Sequence, residues 1–147
     1  MAMWSSAIKL AAQRLPKMVS PRAHAVLDYA VAGSFLVAGV VMWRRNKRAA
    51  LGALVCGGVK AANILATDYP GGKYDVLSYR THGRVDAGIA GLAAAMPRAL
   101  GFEDEEEAEF FALAALSETV VASLTDFGPD AGGDDEDELG RYSYTGR

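Results

Sequence analysis

The stretch RAHAVLDY at residues 22–29 decides how this chain is read, because residues 80–87 run RTHGRVDA and set Arg80, His82 and Asp86 each 58 positions after Arg22, His24 and Asp28. The same offset carries Gly33 onto Gly91, Thr67 onto Thr125 and Asp68 onto Asp126, with Tyr69 falling on Phe127 and no gap required. His, Asp, Arg and Thr-Asp are rare letters in a chain that is 51% apolar, so agreement of this kind marks an internal duplication rather than chance matching of alanines. The two units, 21–78 and 79–136, each open with R-x-H-x-x-x-D and close with Thr-Asp-aromatic.

Between these polar ends lie four apolar segments. Val26–Trp43 holds one ionisable residue, Asp28; Ala49–Thr67 holds Lys60; Val85–Leu100 holds Asp86 and Arg98; Ala108–Thr125 holds Glu109 and Glu118. At about 1.5 Å per residue, each approaches the roughly 30 Å of a bilayer's hydrocarbon core. The expected fold is therefore all-α: a membrane four-helix bundle at residues 21–127, made of two helical hairpins. Two helices per unit keep the orientation of the repeat, so the hairpins are expected to be related by a pseudo-twofold axis along the bilayer normal. All the repeated polar residues then reach one membrane face. A soluble alanine-rich bundle is the competing architecture.

Local signals set the boundaries. Ser20-Pro21 reads as an N-cap followed by proline at the first helical position, Thr81 as a cap for the third helix, and Asn46 or Asp104 as starts for the even helices. Pro70-Gly71-Gly72 and Gly128-Pro129 forbid continuation. Small residues at Gly33, Gly39, Gly52, Gly57, Gly58, Gly88 and Gly91 are expected to let backbones approach. Upstream, Trp4, Ile8, Ala11, Leu15 and Val19 share one side of a helix with Lys9, Gln13 and Lys17 opposite, so residues 1–20 are expected to form an amphipathic interfacial helix. Residues 128–147 are acidic and glycine-rich, the composition of a disordered tail. Lys9, Arg14, Lys17, Arg22, Lys73, Arg80 and Arg84 stand against Arg44, Arg45, Lys47, Arg48 and Arg98, a balance that favours cytoplasmic termini.

Composition excludes several chemistries. One cysteine leaves no disulfide framework and no CxxC metal site, and two histidines cannot make a three-histidine site. A formal charge of −3 with segregated acids and bases gives no nucleic-acid footprint. There is no G-x-S-x-G, no phosphate loop and no H-E-x-x-H, so no catalytic residue is assigned.

What remains is a polar cluster of Arg22, His24, Asp28, Thr67, Asp68, Arg80, His82, Asp86, Thr125 and Asp126. His24 and Asp28, like His82 and Asp86, are four apart and share a helix face. One reading is a structural clamp, in which Arg22, Arg80 or protonated histidines meet Asp68 and Asp126 at helix C-termini, where a carboxylate faces the negative end of the dipole. The other is a ligand site, either proton-responsive or metal-binding, with His24, Asp28, Asp68, His82, Asp86 and Asp126 as candidate ligands. Against metal stands the lack of any E-x-x-H. Lys60 and Glu118 are also 58 apart, and at bilayer depth an unpaired charge is costly. They are expected to face one another as a buried ion pair, unless Lys60 snorkels outward alone.

The motifs T-H-x-x-x-D at Thr81 to Asp86, Pro97 with Gly101-Phe102, Glu118, Leu124-Thr125-Asp126, H-x-x-x-D-Y at His24 to Tyr29 and T-D-Y at Thr67 to Tyr69 resemble the SPW-repeat family of small bacterial integral membrane proteins. The resemblance covers about residues 20–127 and implies a duplicated pair of membrane hairpins in the bacterial cell membrane, with no established biochemical activity. The naming Ser-Pro-Trp is replaced here by Met96-Pro97-Arg98, and by Ala38-Gly39-Val40 in the first unit. The function expected from the whole reading is that of a non-enzymatic membrane protein, a packing or accessory subunit without a cofactor. Its partners are membrane lipid and either further copies of itself or a larger membrane complex. The alternative is a membrane-embedded His/Asp site for a metal ion or protons.

Overall fold

A computed structural model describes residues 16–128, so the acidic tail from 129 onward and residues 1–15 of the expected interfacial helix lie outside the described residues. Among the described residues the chain is all-helical: α1 (Pro21–Met42), α2 (Lys47–Ala66), α3 (Tyr79–Leu100) and α4 (Glu107–Leu124). The β contacts found there are two isolated parallel bridges, Val19 with Thr125 and Leu77 with Thr67. The first corrects the upstream boundary. A helix through residue 20 does not form, because Val19 donates its N–H to Leu124 O at 3.1 Å and Lys17 Nζ donates to Ser123 O at 2.9 Å.

The odd helices begin alike. Ser20 Oγ accepts from Ala23 N at 3.3 Å with Pro21 next in the chain, and Ser78 Oγ accepts from Thr81 N at 3.2 Å. Thr81 is thus not the cap of α3; it sits within the first turn and is itself capped. Asn46 Oδ1 caps α2 through Ala49 N at 3.1 Å. Asp104 does not cap α4, which starts three residues later behind Glu106 without a side-chain bond, leaving Glu107 and Glu109 to meet the positive end of its dipole. The even helices end alike, on Thr67 (φ −93°, ψ 138°) and Thr125 (φ −94°, ψ 138°). Gly101 closes α3 in the left-handed conformation at φ 70°.

α1 packs on α2, α2 on α3 and α3 on α4. An apolar core built on Phe35, Ala53, Cys56, Ala93 and Phe111 fills the half of the bundle toward the α1–α2 turn. At that end Arg48 pairs with Glu105 at 2.6 Å and Asn46 Nδ2 donates to the same carboxylate. Close approach through glycine occurs at Gly39, Gly52 and Gly57, whereas Gly33, Gly58, Gly88 and Gly91 face open space, so the expected small-residue contacts form at only part of their positions. Between α3 and α4 this openness amounts to a groove of about 850 Å³, floored in part by Ala87, Gly91 and Ala94.

The α2–α3 connection folds back over the end of α2. Lys73 N and Tyr74 N donate to Leu65 O, and Val76 N and Leu77 N to Ala66 O, so the last carbonyls of the helix are satisfied. Gly72 is the pivot, since a Cβ there would run into the Thr67 carbonyl oxygen. Gly72→Ala is expected to lower stability by about 2 kcal/mol or more, as for other sites where backbone must move. Gly88→Ala, in an open helical position, is expected to raise it by about 0.5–1 kcal/mol. Denaturant midpoints of the two variants check both signs.

α1 and α2 are long and apolar enough to cross a membrane. α3, carrying Arg80, His82, Arg84, Asp86 and Arg98, and α4, carrying Glu107, Glu109 and Glu118, do not reach the same hydropathy. Val26, Val37, Val40 and Val41 on α1 and Leu113, Leu116 and Val120 on α4 are exposed on the bundle exterior.

Candidate functional site

The serine caps fix the first turns of α1 and α3, and with them the direction in which the following turn projects. His24, Asp28, His82 and Asp86 all point into the bundle and are at most 2% exposed. The partners are exchanged between the units. His24 Nε2 lies 3.1 Å from Asp86 Oδ2 and 3.4 Å from Asp28 Oδ2; His82 Nε2 lies 2.9 Å from Asp28 Oδ2 and 3.0 Å from Asp86 Oδ2. The other ring nitrogens are exchanged too. His24 Nδ1 is 2.9 Å from Thr125 Oγ1 and His82 Nδ1 is 3.0 Å from Thr67 Oγ1. Each threonine hydroxyl also donates to the carbonyl four residues back, Thr67 to Asn63 O at 2.6 Å and Thr125 to Val121 O at 2.7 Å.

Lys60, fully buried, enters the same network from α2. Its ammonium donates to Asp28 Oδ1 at 2.7 Å, Asp86 Oδ1 at 2.8 Å and Glu118 Oε2 at 2.9 Å. The two aspartates therefore divide their oxygens in the same way, Oδ1 toward lysine and Oδ2 toward the imidazoles. Asn63 Nδ2 donates to Asp86 Oδ1 at 2.9 Å, and Tyr69 Oη to Asp28 Oδ2 at 2.9 Å. Tyr69, Tyr79 and Phe127 close the pole above the histidines, with ring centroids 4.8 Å (Tyr69–His82) and 5.1 Å (Phe127–His24) apart.

Three carboxylates share one ammonium here, so with all three ionised and the imidazoles uncharged the closed core would carry two negative charges. It is also rich in acceptors: Asn63 Oδ1 and Glu118 Oε1 are buried with no donor.

Four of the sequence-derived candidates stay outside this network. Arg22, Asp68 and Asp126 are exposed and Arg80 is half-buried, and among the described residues none of them makes an ion pair. The clamp of Arg22 or Arg80 with Asp68 or Asp126 is therefore not what holds the helix ends. The reason is local. Thr67 and Thr125 leave their helices in extended conformation, in which successive side chains alternate. Threonine points in, aspartate out, and Tyr69 or Phe127 in again. Asp126 instead accepts from Gly128 N at 2.9 Å. The candidate metal-ligand set of His24, Asp28, Asp68, His82, Asp86 and Asp126 loses Asp68 and Asp126 for the same reason.

Two members had no direct signal. Asn63 falls opposite Val121 at the 58-residue offset, so the duplication does not point to it. Tyr69 was visible only as the aromatic after Thr-Asp. Burial, followed by the Asp28 carboxylate, raises the Tyr69 phenol above its ordinary value, which keeps it protonated as a donor. A raised folded-state value contributes stability that is fully present below the unfolded value and fades as pH climbs past about 10. Tyr69→Phe is expected to cost about 1.5–3 kcal/mol at neutral pH through the lost bond to a charged acceptor, and to flatten the alkaline arm of a stability–pH curve.

No family model, curated protein or solved structure matches the chain.

Proposed function

We propose that this chain is a non-enzymatic integral membrane protein of the SPW-repeat kind, a pseudo-twofold pair of hairpins crossing the bacterial cell membrane, and that the polar core shared by the hairpins binds a cation. Support for the duplication comes from contacts that exchange under the same 58-residue offset. His24–Thr125 answers His82–Thr67, the Val19–Thr125 bridge answers Leu77–Thr67, and the Ser20 cap answers Ser78. Support for the membrane comes from the two spanning-length apolar helices and the exposed valines and leucines of α1 and α4.

The cation reading rests on one observation. Asp28, Asp86 and Glu118 converge on the single Lys60 ammonium in a space closed to solvent. Two uncompensated negative charges in low dielectric are far costlier than the modest sums that hold a domain together. Protons on the two imidazoles or one bound cation would balance them, and the reading proposed is the bound cation.

Membrane preparations washed with high salt should retain the protein and release it only in detergent. Release by salt contradicts the membrane reading in favour of the soluble alanine-rich bundle. For the detergent-solubilised full chain, exhaustive chelation and dialysis should lower the unfolding midpoint, and one class of cation should restore it. A midpoint indifferent to every cation contradicts the cation reading.

A further inference from the structure

Resting on the cation reading, we infer that His24 Nε2, His82 Nε2, Asp28 Oδ2 and Asp86 Oδ2 form a closed tetrahedral site for one divalent transition-metal ion of the zinc type. One ligand atom from each of the four residues lies within 4.8 Å of the others, and the four His–Asp edges between Nε2 and Oδ2 measure 2.9, 3.0, 3.1 and 3.4 Å. A regular tetrahedron with metal–ligand distances of about 2.0–2.1 Å has edges of about 3.3–3.4 Å. The ligand number is that of such a site, and three of the four His–Asp edges are shorter than a metal would set, so binding must part these atoms by a few tenths of an ångström.

The direction of the protons leads to the same place. A threonine hydroxyl has one proton, and those of Thr67 and Thr125 are committed to Asn63 O and Val121 O. Toward the imidazoles both hydroxyls can only accept, so His24 and His82 each carry their proton on Nδ1. In the neutral ring the Nε2 lone pair is then left free. In that neutral form both lone pairs would be buried and aimed at carboxylate oxygens, acceptor against acceptor. A metal ion among the four atoms, or a proton on each Nε2, turns that repulsion into attraction, and ¹⁵N NMR of the rings separates the two. Fixing the imidazole tautomer through a partner on the far ring nitrogen is how metal-ligating histidines are held.

The second layer fits as well. Each aspartate turns Oδ2 to the cluster and Oδ1 to Lys60, so the ammonium orients both carboxylates for single-oxygen ligation. A divalent ion cancels the two surplus negative charges. Two nitrogen and two oxygen donors suit zinc-type ions, whereas calcium and magnesium take six or more oxygens. With four protein ligands the coordination is complete, which makes this a structural ion joining α1 to α3.

The test uses the full chain in detergent, stripped with chelator and titrated with Co²⁺, whose d–d spectrum separates tetrahedral from octahedral sites. The expected result is one equivalent per chain, with the intense visible bands of tetrahedral Co²⁺, displaced by Zn²⁺. Thr67→Val and Thr125→Val leave all four ligands in place and should each weaken binding about 10- to 100-fold. His82→Gln should abolish the bands. Absence of the bands, an octahedral spectrum, or undiminished binding in the threonine variants overturns the inference. So does ¹⁵N NMR showing both Nε2 atoms protonated in protein purified without chelator, because two protons then fill the charge deficit. If the unfolding midpoint responds to a cation but these bands are absent, the metal assignment fails while the cation reading stands; if neither responds, both fail.

Discussion

Lys60→Met in the full chain is expected to abolish or severely cripple folding, the largest effect of any single substitution in this protein. Methionine nearly matches the volume of the stem, so packing is not the issue. The ammonium it removes sits 2.7–2.9 Å from three carboxylates, with no solvent to replace it. Breaking one buried ion pair by deleting a partner costs about 3–5 kcal/mol. Here one deletion strands three anions, against a total stability for a domain of about 5–15 kcal/mol. The double variant Lys60→Met/Glu118→Leu returns the core to its original charge surplus and should recover a substantial part of the loss. Yield and denaturant midpoint in detergent check both. A single Lys60→Met that is as stable as the parent contradicts the electrostatic account.

Asp86→Asn ranks second. Asp86 accepts from Lys60 Nζ and Asn63 Nδ2 through Oδ1 and faces both imidazoles through Oδ2. An amide keeps the shape but removes the negative charge that Lys60 and Asn63 meet at Oδ1, so a cost of about 2–4 kcal/mol is expected, within the range for breaking a buried charged network. The cluster also loses an anionic ligand, and transition-metal affinity should fall by more than 100-fold. Asp28→Asn is expected to behave almost identically, with Tyr69 in the place of Asn63 as the extra donor. Widely different losses in stability at the two positions would contradict their equivalence.

The residues that meet in the core were largely legible from the repeat. His24, Asp28, His82, Asp86, Thr67 and Thr125 are drawn together by spacing alone: four residues keep His and Asp on one helix face, and 58 relates the two sets. Lys60 and Glu118 were legible as a facing pair but not as part of the same cluster. Counting from helix ends shows why they belong to it. Asp28 lies seven residues inside the start of α1, while Lys60 lies six residues before the end of antiparallel α2, so both stand at about 9–10.5 Å depth. The second member of H-x-x-x-D lies a full turn deeper than the first, level with Lys60 rather than with the polar ends. Asp68 and Asp126 misled for the opposite reason. Their distance along the chain is right, but helical periodicity stops at the threonine before them and a two-residue alternation takes over. The four apolar segments mapped onto helices well, yet α1 and α2 alone among the described helices are both apolar and poor enough in charge to stand as candidate spans, because α3 and α4 carry more charge along their lengths.

The central claim is that the two halves share one site rather than each stabilising its own hairpin. A double-mutant cycle on His24→Gln and His82→Gln, followed by unfolding of the detergent-solubilised chain, tests it most directly. A shared site predicts that the second substitution adds little once the first is made, with a coupling of at least about 1 kcal/mol, since both rings serve the same two carboxylates. Losses that add to within about 0.3–0.5 kcal/mol, the behaviour of independent sites, would contradict it.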